Sequence, residues 1–160
     1  MRTHSAHQKP VSYRIKSISF RVQRALGAPD PRTVTTPRAV AALARDLIAA
    51  DGREHFLVLL LDSGLHMIAY HEVGVGSADR VLSMARDVFG AALRVPACVG
   101  IIAVHNHPSG NVKPSRSDVL LTRDLVRAGS LLNIRLHDNV VISHVNGGYY
   151  SFDDRGKIKP

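Results

Sequence analysis

The sequence is poor in several features, and each scarcity excludes a class of protein. A single cysteine, Cys98, permits no internal disulfide and no zinc site built from several cysteines. The longest apolar run, Phe56 to Leu61, is strand-sized and far shorter than the roughly 18 residues of a membrane-spanning helix. The first ten residues lack the apolar stretch of a secretory signal. We therefore expect a cytoplasmic protein in a reducing environment, with no membrane contact.

The 160 residues suffice for one folded domain, because 45% are apolar and 21% are charged. The net charge of +8 is unevenly distributed: the first 50 residues hold nine basic and two acidic residues, a balance of +7. A basic N-terminal segment attracts the phosphates of nucleic acids without sequence specificity. A solvated, mobile tail can have the same composition. We predict a basic arm over residues 1–34, partly extended or disordered, and a folded domain over residues 35–160.

Hydrophobic periodicity and turn residues predict an alternating series of helices and strands. Thr36 and Pro37 have the pattern of a helix start, with a capping side chain before a proline. The predicted order α-β-β-α-β-α-β-β indicates an α/β fold, in which a mixed sheet is flanked by helices. The predicted elements are a helix from Pro37 to Asp51, strands over Phe56–Leu61 and Leu65–Val75, a helix capped by Ser77, a strand over Cys98–Val104, a helix from about Ser115 to Ala128 with Gly129 as its stop, and strand-like runs between Ile134 and Phe152.

The residues with the clearest chemical meaning follow the strand that begins at Cys98. His105 and His107 are two positions apart at the predicted strand end, so both imidazoles leave the same face. Asp118 falls in the first turn of the next helix, and the intervening loop can fold it back toward the histidines. Two imidazole nitrogens and one carboxylate are the protein ligands of an open catalytic zinc site.

Each part of this pattern also has a simpler reading. Two histidines separated by one residue are common without a metal. Ser115 with an acid three residues later is a helix-start signature in its own right. The capping and metal-binding roles do not exclude one another. The combined spacing, with Ser115 eight residues after His107, raises the specificity of the pattern.

This string resembles the metal-binding motif of the JAMM/MPN+ superfamily of metallo-isopeptidases. More narrowly, residues 35–155 resemble the RadC-like JAB domain, a family named for DNA repair. The resemblance implies a three-layer architecture like that of cytidine deaminases. It is carried by Arg53 to Asp62, Val104 to Gly110, Pro114 to Asp118, and Leu136 to Ile142.

The resemblance also implies a role for each matching residue. His105, His107 and Asp118 resemble the three Zn²⁺ ligands of the family. Ser115 resembles the serine that helps to hold the developing oxyanion, and Glu54 resembles the general base. The chain contains one other glutamate, Glu72, but Glu54 borders the strand that looks most buried.

Two departures from the family pattern stand out. Longer relatives carry a helix-hairpin-helix DNA-binding region before this domain, and nothing in residues 1–50 reads as one. The family commonly has Asp-His where this chain has Asp138-Asn139. Because position 139 is outside the ligand motif, we expect the metal site to survive the exchange.

These observations favour a zinc-dependent hydrolase that cleaves an amide or isopeptide bond in a peptide or protein substrate. The alternative is a DNA-associated accessory module of repair or mobile elements, which would bind nucleic acid through the basic N-terminal segment. A metal-binding scaffold without turnover is a third possibility. A metal-dependent nuclease fits less well, because one metal with three ligands lacks the second ion common in phosphodiester cleavage.

Overall fold

The computed structural model describes residues 36–76 and 81–158. The predicted basic arm and the predicted cap Ser77 lie outside the described residues. Within them, helices and strands follow the predicted order α-β-β-α-β-α-β-β. The elements are α1 (Pro37–Leu47), β1 (His55–Leu61), β2 (Met67–Val75), α2 (Val81–Ala92), β3 (Gly100–Asn106), α3 (Arg116–Leu132), β4 (Arg135–Ile142) and β5 (Tyr149–Ser151).

The strands of the described part form one mixed sheet in the order β2-β1-β3-β4-β5. β3 and β4 run parallel, whereas the other neighbours are antiparallel. Every residue of β1 and β3 is buried, as expected for central strands covered on both faces. This confirms the predicted α/β class with a mixed sheet.

Two apolar clusters fill the spaces on either side of the sheet. One joins alternate residues of the central strands, such as Val58 and Ala103, to α2 and α3. The other joins the intervening residues, such as Leu59 and Val104, to α1. The result is a three-layer arrangement of helix, sheet and helices, which the period-two alternation of strand side chains makes possible.

The start of α1 is as predicted, and two element ends are not. Thr36 caps α1 and Pro37 occupies its first turn, but the helix stops at Leu47, before the predicted Asp51. β3 continues past the predicted end at Val104 and takes in His105 and Asn106, because both pair with β4.

Gly129, predicted to stop α3, instead lies inside the helix, which ends at Leu132. A Cβ atom at this position would lie 2.4 Å from the Ile134 carbonyl oxygen, so the glycine permits a close approach of the chain. Asn133 ends the helix in the left-handed conformation, at φ 54°. None of the described helices combines the length and apolar character that crossing a membrane requires.

Candidate metal centre

The predicted ligands meet where the end of β3 faces the first turn of α3. His105 lies on β3, His107 follows its last residue, and Asp118 is the third residue of α3. Each offers one ligand atom, and these atoms lie within 4.8 Å of one another. The structure thus brings together a group that could hold a metal ion.

Each histidine lies about as far from one oxygen of Asp118 as two ligands of a small tetrahedral cation lie from each other. His105 Nε2 lies 3.3 Å from Asp118 Oδ1, and His107 Nε2 lies 3.3 Å from Asp118 Oδ2. Two atoms bound at 2.0–2.1 Å to a tetrahedral zinc are about 3.3–3.4 Å apart. The donor set and its spacing therefore fit a zinc-like ion.

His105 forms the buried side of the centre. Its side chain is fully buried, and its ring stacks on Phe56 with the centroids 5.7 Å apart. Neither of its ring nitrogens has a hydrogen-bond partner among the described residues. Because native proteins rarely leave buried polar atoms unpaired, an imidazole with an unpartnered Nε2 beside Asp118 fits a metal ligand.

His107 is held in the tautomer that a metal ligand requires. Its Nδ1 lies 2.6 Å from the carbonyl oxygen of Asn111. A carbonyl only accepts, so Nδ1 donates its hydrogen and the neutral ring keeps a free lone pair on Nε2. Such a hydrogen bond from the outer nitrogen is the usual way in which proteins orient a ligating histidine.

Asp118 is both a capping residue and a candidate ligand. Ser115 Oγ accepts from the Asp118 backbone N–H at 3.1 Å, and Asp118 Oδ2 accepts from the Ser115 backbone N–H at 2.6 Å. This reciprocal capping box fixes the carboxylate beside the two histidines, so capping does not prevent Asp118 from acting as a ligand. Burial opposes ionisation of Asp118, but contacts with the two histidines outweigh it and hold its pKa well below the usual range.

Glu54 comes close to the centre through strand pairing. β1 and β3 pair with Phe56 opposite His105; Glu54 directly precedes β1, and His107 directly follows β3. The contact with Asp118 is the main cause of the raised pKa of His107, and the charge of the half-buried Glu54 adds to it.

Asn106, which was not among the predicted site residues, holds the backbone on both sides of Glu54. Its Oδ1 accepts from the His55 N–H at 2.8 Å, and its Nδ2 donates to the Arg53 carbonyl at 2.8 Å. The only sequence signal for this role was its place between the two histidines. Nothing in the sequence pointed to Asn111, whose contribution is a backbone carbonyl.

The other glutamate, Glu72, contacts a different group. It lies on β2, where its Oε1 is 2.6 Å from His55 Nδ1, and the other ring nitrogen of His55 lies 3.0 Å from Asp51 Oδ1. Burial alone would lower the pKa of His55, but the two carboxylates outweigh it and raise that pKa. The buried ring of His55 thus links β2 to the loop before β1.

Comparison with known proteins identifies the domain. The family model described as RadC-like JAB domain matches residues 34–157. A UPF0758 protein of Thermotoga maritima is 43% identical over 106 residues, which cover 66% of this chain and 46% of the relative. UPF0758 proteins of Caldanaerobacter subterraneus and Methanosarcina mazei are 39% and 34% identical, over 76% and 80% of this chain and 54% and 55% of theirs.

The chain spans about half the length of the curated relatives it matches. The family match covers both histidines, Asp118 and the whole described sheet. It also confirms the resemblance drawn from the motif at residues 105–118. This protein therefore belongs to the RadC-like JAB domain family.

Proposed function

We propose that this protein is a zinc-dependent hydrolase of the JAMM type, which cleaves an amide or isopeptide bond of a peptide or protein. One observation carries the proposal: the ligand atoms of His105, His107 and Asp118 converge in a cluster. The charge of Glu54 acts on His107 of this cluster and adds to its raised pKa. Membership of the RadC-like JAB domain family supports it, because the domain is related to the JAMM superfamily.

In this proposal, Glu54 moves the protons of the reaction. A zinc ion, when bound, lowers the pKa of a coordinated water toward about 7 and polarises the scissile carbonyl. The Glu54 carboxylate accepts a proton from the attacking water and delivers it to the leaving amine, so that it acts first as base and then as acid. The Asn106 bridge between Arg53 and His55 fixes the backbone from which Glu54 acts.

Ser115 is proposed to stabilise the developing oxyanion. Its Oγ accepts from the Asp118 N–H, and its hydroxyl also lies beside the Asp118 carboxylate, whose pKa it helps to lower. In the proposal the hydroxyl turns its hydrogen toward the oxygen that gains negative charge in the transition state.

The burial of the cluster is consistent with access from one side. His105 and Asp118 are buried, whereas His107 and Glu54 are half-buried and Ser115 is exposed. A substrate can therefore approach from the side of Ser115 and Glu54, while the Phe56 ring packs against His105.

Two glutamate variants test the proposal with a matched control. Zinc-loaded protein is assayed for the release of new amines from a mixture of peptides and isopeptide-linked peptides. Glu54→Gln is expected to keep zinc and to lose turnover by about 10²- to 10⁴-fold, because a positioned general base contributes that much. Glu72→Gln is expected to keep activity. Full activity in Glu54→Gln with loss in Glu72→Gln would overturn the assignment of the base.

Metal content tests the ligand set separately. His107→Ala and Asp118→Ala are each expected to lower the zinc content of protein purified without an affinity tag. Stoichiometric zinc in both variants would contradict the proposed ligands, whatever their activity.

We also propose a second candidate function, contact with nucleic acid through the basic N-terminal segment. The uneven charge favours it, since the first 50 residues carry a balance of +7 out of a net charge of +8. Such contact is compatible with a hydrolase, because it uses a different part of the chain.

A further inference from the structure

Asn139 is a buried amide that is tied to the first turns of α3. It lies on β4 with no exposed surface, and its Nδ2 donates to Thr122 Oγ1 at 2.8 Å. The Thr122 hydroxyl donates its single hydrogen to the Asp118 carbonyl at 2.7 Å. Because that hydrogen is used, Thr122 can only accept from Asn139, so the nitrogen of the amide must face Thr122. A chain of two hydrogen bonds therefore connects Asn139 to the backbone of a candidate ligand.

The other end of this amide has no partner. Asn139 Oδ1 is buried and receives no hydrogen bond from the described residues, and the same is true of both ring nitrogens of His105. An unsatisfied buried polar atom costs about 1–3 kcal/mol. Native proteins avoid this cost by pairing such atoms, directly or through a buried water.

The sheet register puts these unpartnered atoms on the same face. β3 and β4 are parallel neighbours, with Ala103 opposite Asn139 and His105 opposite Val141. Ala103 and Val141 both pack in the cluster that contains α3, so His105 and Asn139, each two residues away, also face α3. A third unpartnered atom, His144 Nε2, belongs to a residue beyond the end of β4.

The chemistry of a histidine ligand supplies the missing donor. If His105 binds a metal through the Nε2 that faces Asp118, its neutral ring carries the hydrogen on Nδ1. That hydrogen needs an acceptor in the protein interior, and Asn139 Oδ1 is a buried acceptor without a donor.

We propose that Asn139 is a positioning residue of the metal centre. Its Oδ1 accepts from His105 Nδ1–H through one buried water, while its Nδ2 holds, through Thr122, the helix turn that carries Asp118. One amide thus orients two of the three ligands. The inference rests on the metal site of the proposed function and adds a residue outside the ligand motif.

Three substitutions test this role through metal affinity, measured by competition between the protein and a chromogenic chelator for Zn²⁺. Asn139→Leu has a similar volume but no polar atoms, and it is expected to weaken zinc binding by about 10- to 100-fold, as for other partners of metal ligands. Asn139→His keeps one donor and one acceptor, so it is expected to bind more tightly than Asn139→Leu. The control Leu125→Ala removes a buried apolar side chain of α3 without touching these hydrogen bonds, and it is expected to keep the wild-type affinity.

The Co²⁺-substituted proteins give a spectroscopic readout that a general loss of stability does not change. The visible absorption bands of Asn139→Leu are expected to shift, and those of Leu125→Ala to match the wild type. If Asn139→Leu keeps both the wild-type zinc affinity and the wild-type cobalt spectrum, the positioning role is refuted.

A crystal structure of the wild-type protein without metal separates this inference from the proposed function. We expect one ordered water within about 3 Å of both His105 Nδ1 and Asn139 Oδ1, the distance of a hydrogen bond. If the wild type binds no zinc, the proposed function fails. The crystal structure alone then decides whether a water connects His105 to Asn139. If well-ordered density shows no water and no direct contact between these two atoms, the bridge itself is refuted.

Discussion

Ser115 combines two roles that a pair of substitutions can separate. Its Oγ caps α3 by accepting from the Asp118 N–H at 3.1 Å, and its hydroxyl hydrogen is the proposed oxyanion donor. Ser115→Ala removes both functions. Ser115→Gly has no side-chain donor, but it keeps most of the helix stability, because glycine at an N-cap costs only a few tenths of a kcal/mol relative to serine. The second half of the capping box survives in both variants, since it uses the backbone N–H of residue 115.

The expected magnitudes differ between the two variants. Loss of the cap in Ser115→Ala is expected to lower the free energy of unfolding by about 1 kcal/mol, which corresponds to a fall in Tm of about 2–4 °C for a chain of this size. Ser115→Gly is expected to remain within about 0.5 kcal/mol of the wild type. Both variants are expected to lose turnover by about 10²- to 10³-fold, the usual effect of removing one oxyanion donor.

Thermal unfolding and peptide turnover, measured on the same zinc-loaded preparations, give both quantities. Wild-type turnover in Ser115→Gly would show that the serine only caps the helix, and would refute the catalytic role. An unchanged Tm in Ser115→Ala would instead refute the energetic reasoning about the cap.

Three further predictions concern packing, pH and the N-terminal arm. Gly129→Ala is expected to lower stability by about 1–3 kcal/mol in urea unfolding, because its Cβ would lie 2.4 Å from the Ile134 carbonyl. Gly90→Ala in α2, with nothing within 4 Å, is expected to raise stability by up to about 1 kcal/mol; equal effects of the two substitutions would contradict the packing. The pKa of His55 is higher in the folded protein than its ordinary value of 6.5, so protonation of His55 stabilises the fold. This stabilisation is complete below the unfolded pKa and is lost as the pH rises through the folded pKa. The urea midpoint is therefore expected to fall as the pH rises above about 6.5, and to fall less in Glu72→Gln; an equal fall in both proteins would exclude this ion pair as the cause. DNA binding, measured by fluorescence anisotropy, is expected to weaken with added salt and to disappear when residues 1–35 are removed; retained binding would locate the contact elsewhere.

Local signals in the sequence were sufficient to predict most of the helices and strands of the fold. Thr36 before Pro37 marked the start of α1, and alternating or continuous apolar runs gave the strands in their order. These features depend on hydrogen bonds and side-chain faces within a few residues, which is why the sequence shows them. The same holds for the capping box at Ser115 and Asp118, whose partners are three residues apart.

Contacts between distant segments could not be predicted in this way. Gly129 looked like a helix stop, but the helix continues because Asn133 ends it and Ile134 packs against the glycine. His55 directly precedes the predicted strand, and it is buried between Asp51 in the loop before β1 and Glu72 on β2. The contact with Glu72 is fixed by the pairing of β1 with β2, and the fit of Gly129 against Ile134 by the turn after α3, so neither was visible in the local pattern.

The candidate site combines both kinds of information. The spacing of His105, His107 and Asp118 by itself determined a candidate ligand set, because strand alternation and a helix start fix which way these side chains face. Only the tertiary structure decided what surrounds them: the pairing of β1 with β3 brings the charge of Glu54 near His107, and the packing of α3 on β4 connects Asn139 through Thr122 to the Asp118 carbonyl. The physical reason is that strand register and helix packing are set by the burial of apolar faces across the whole domain, which no short stretch of sequence encodes.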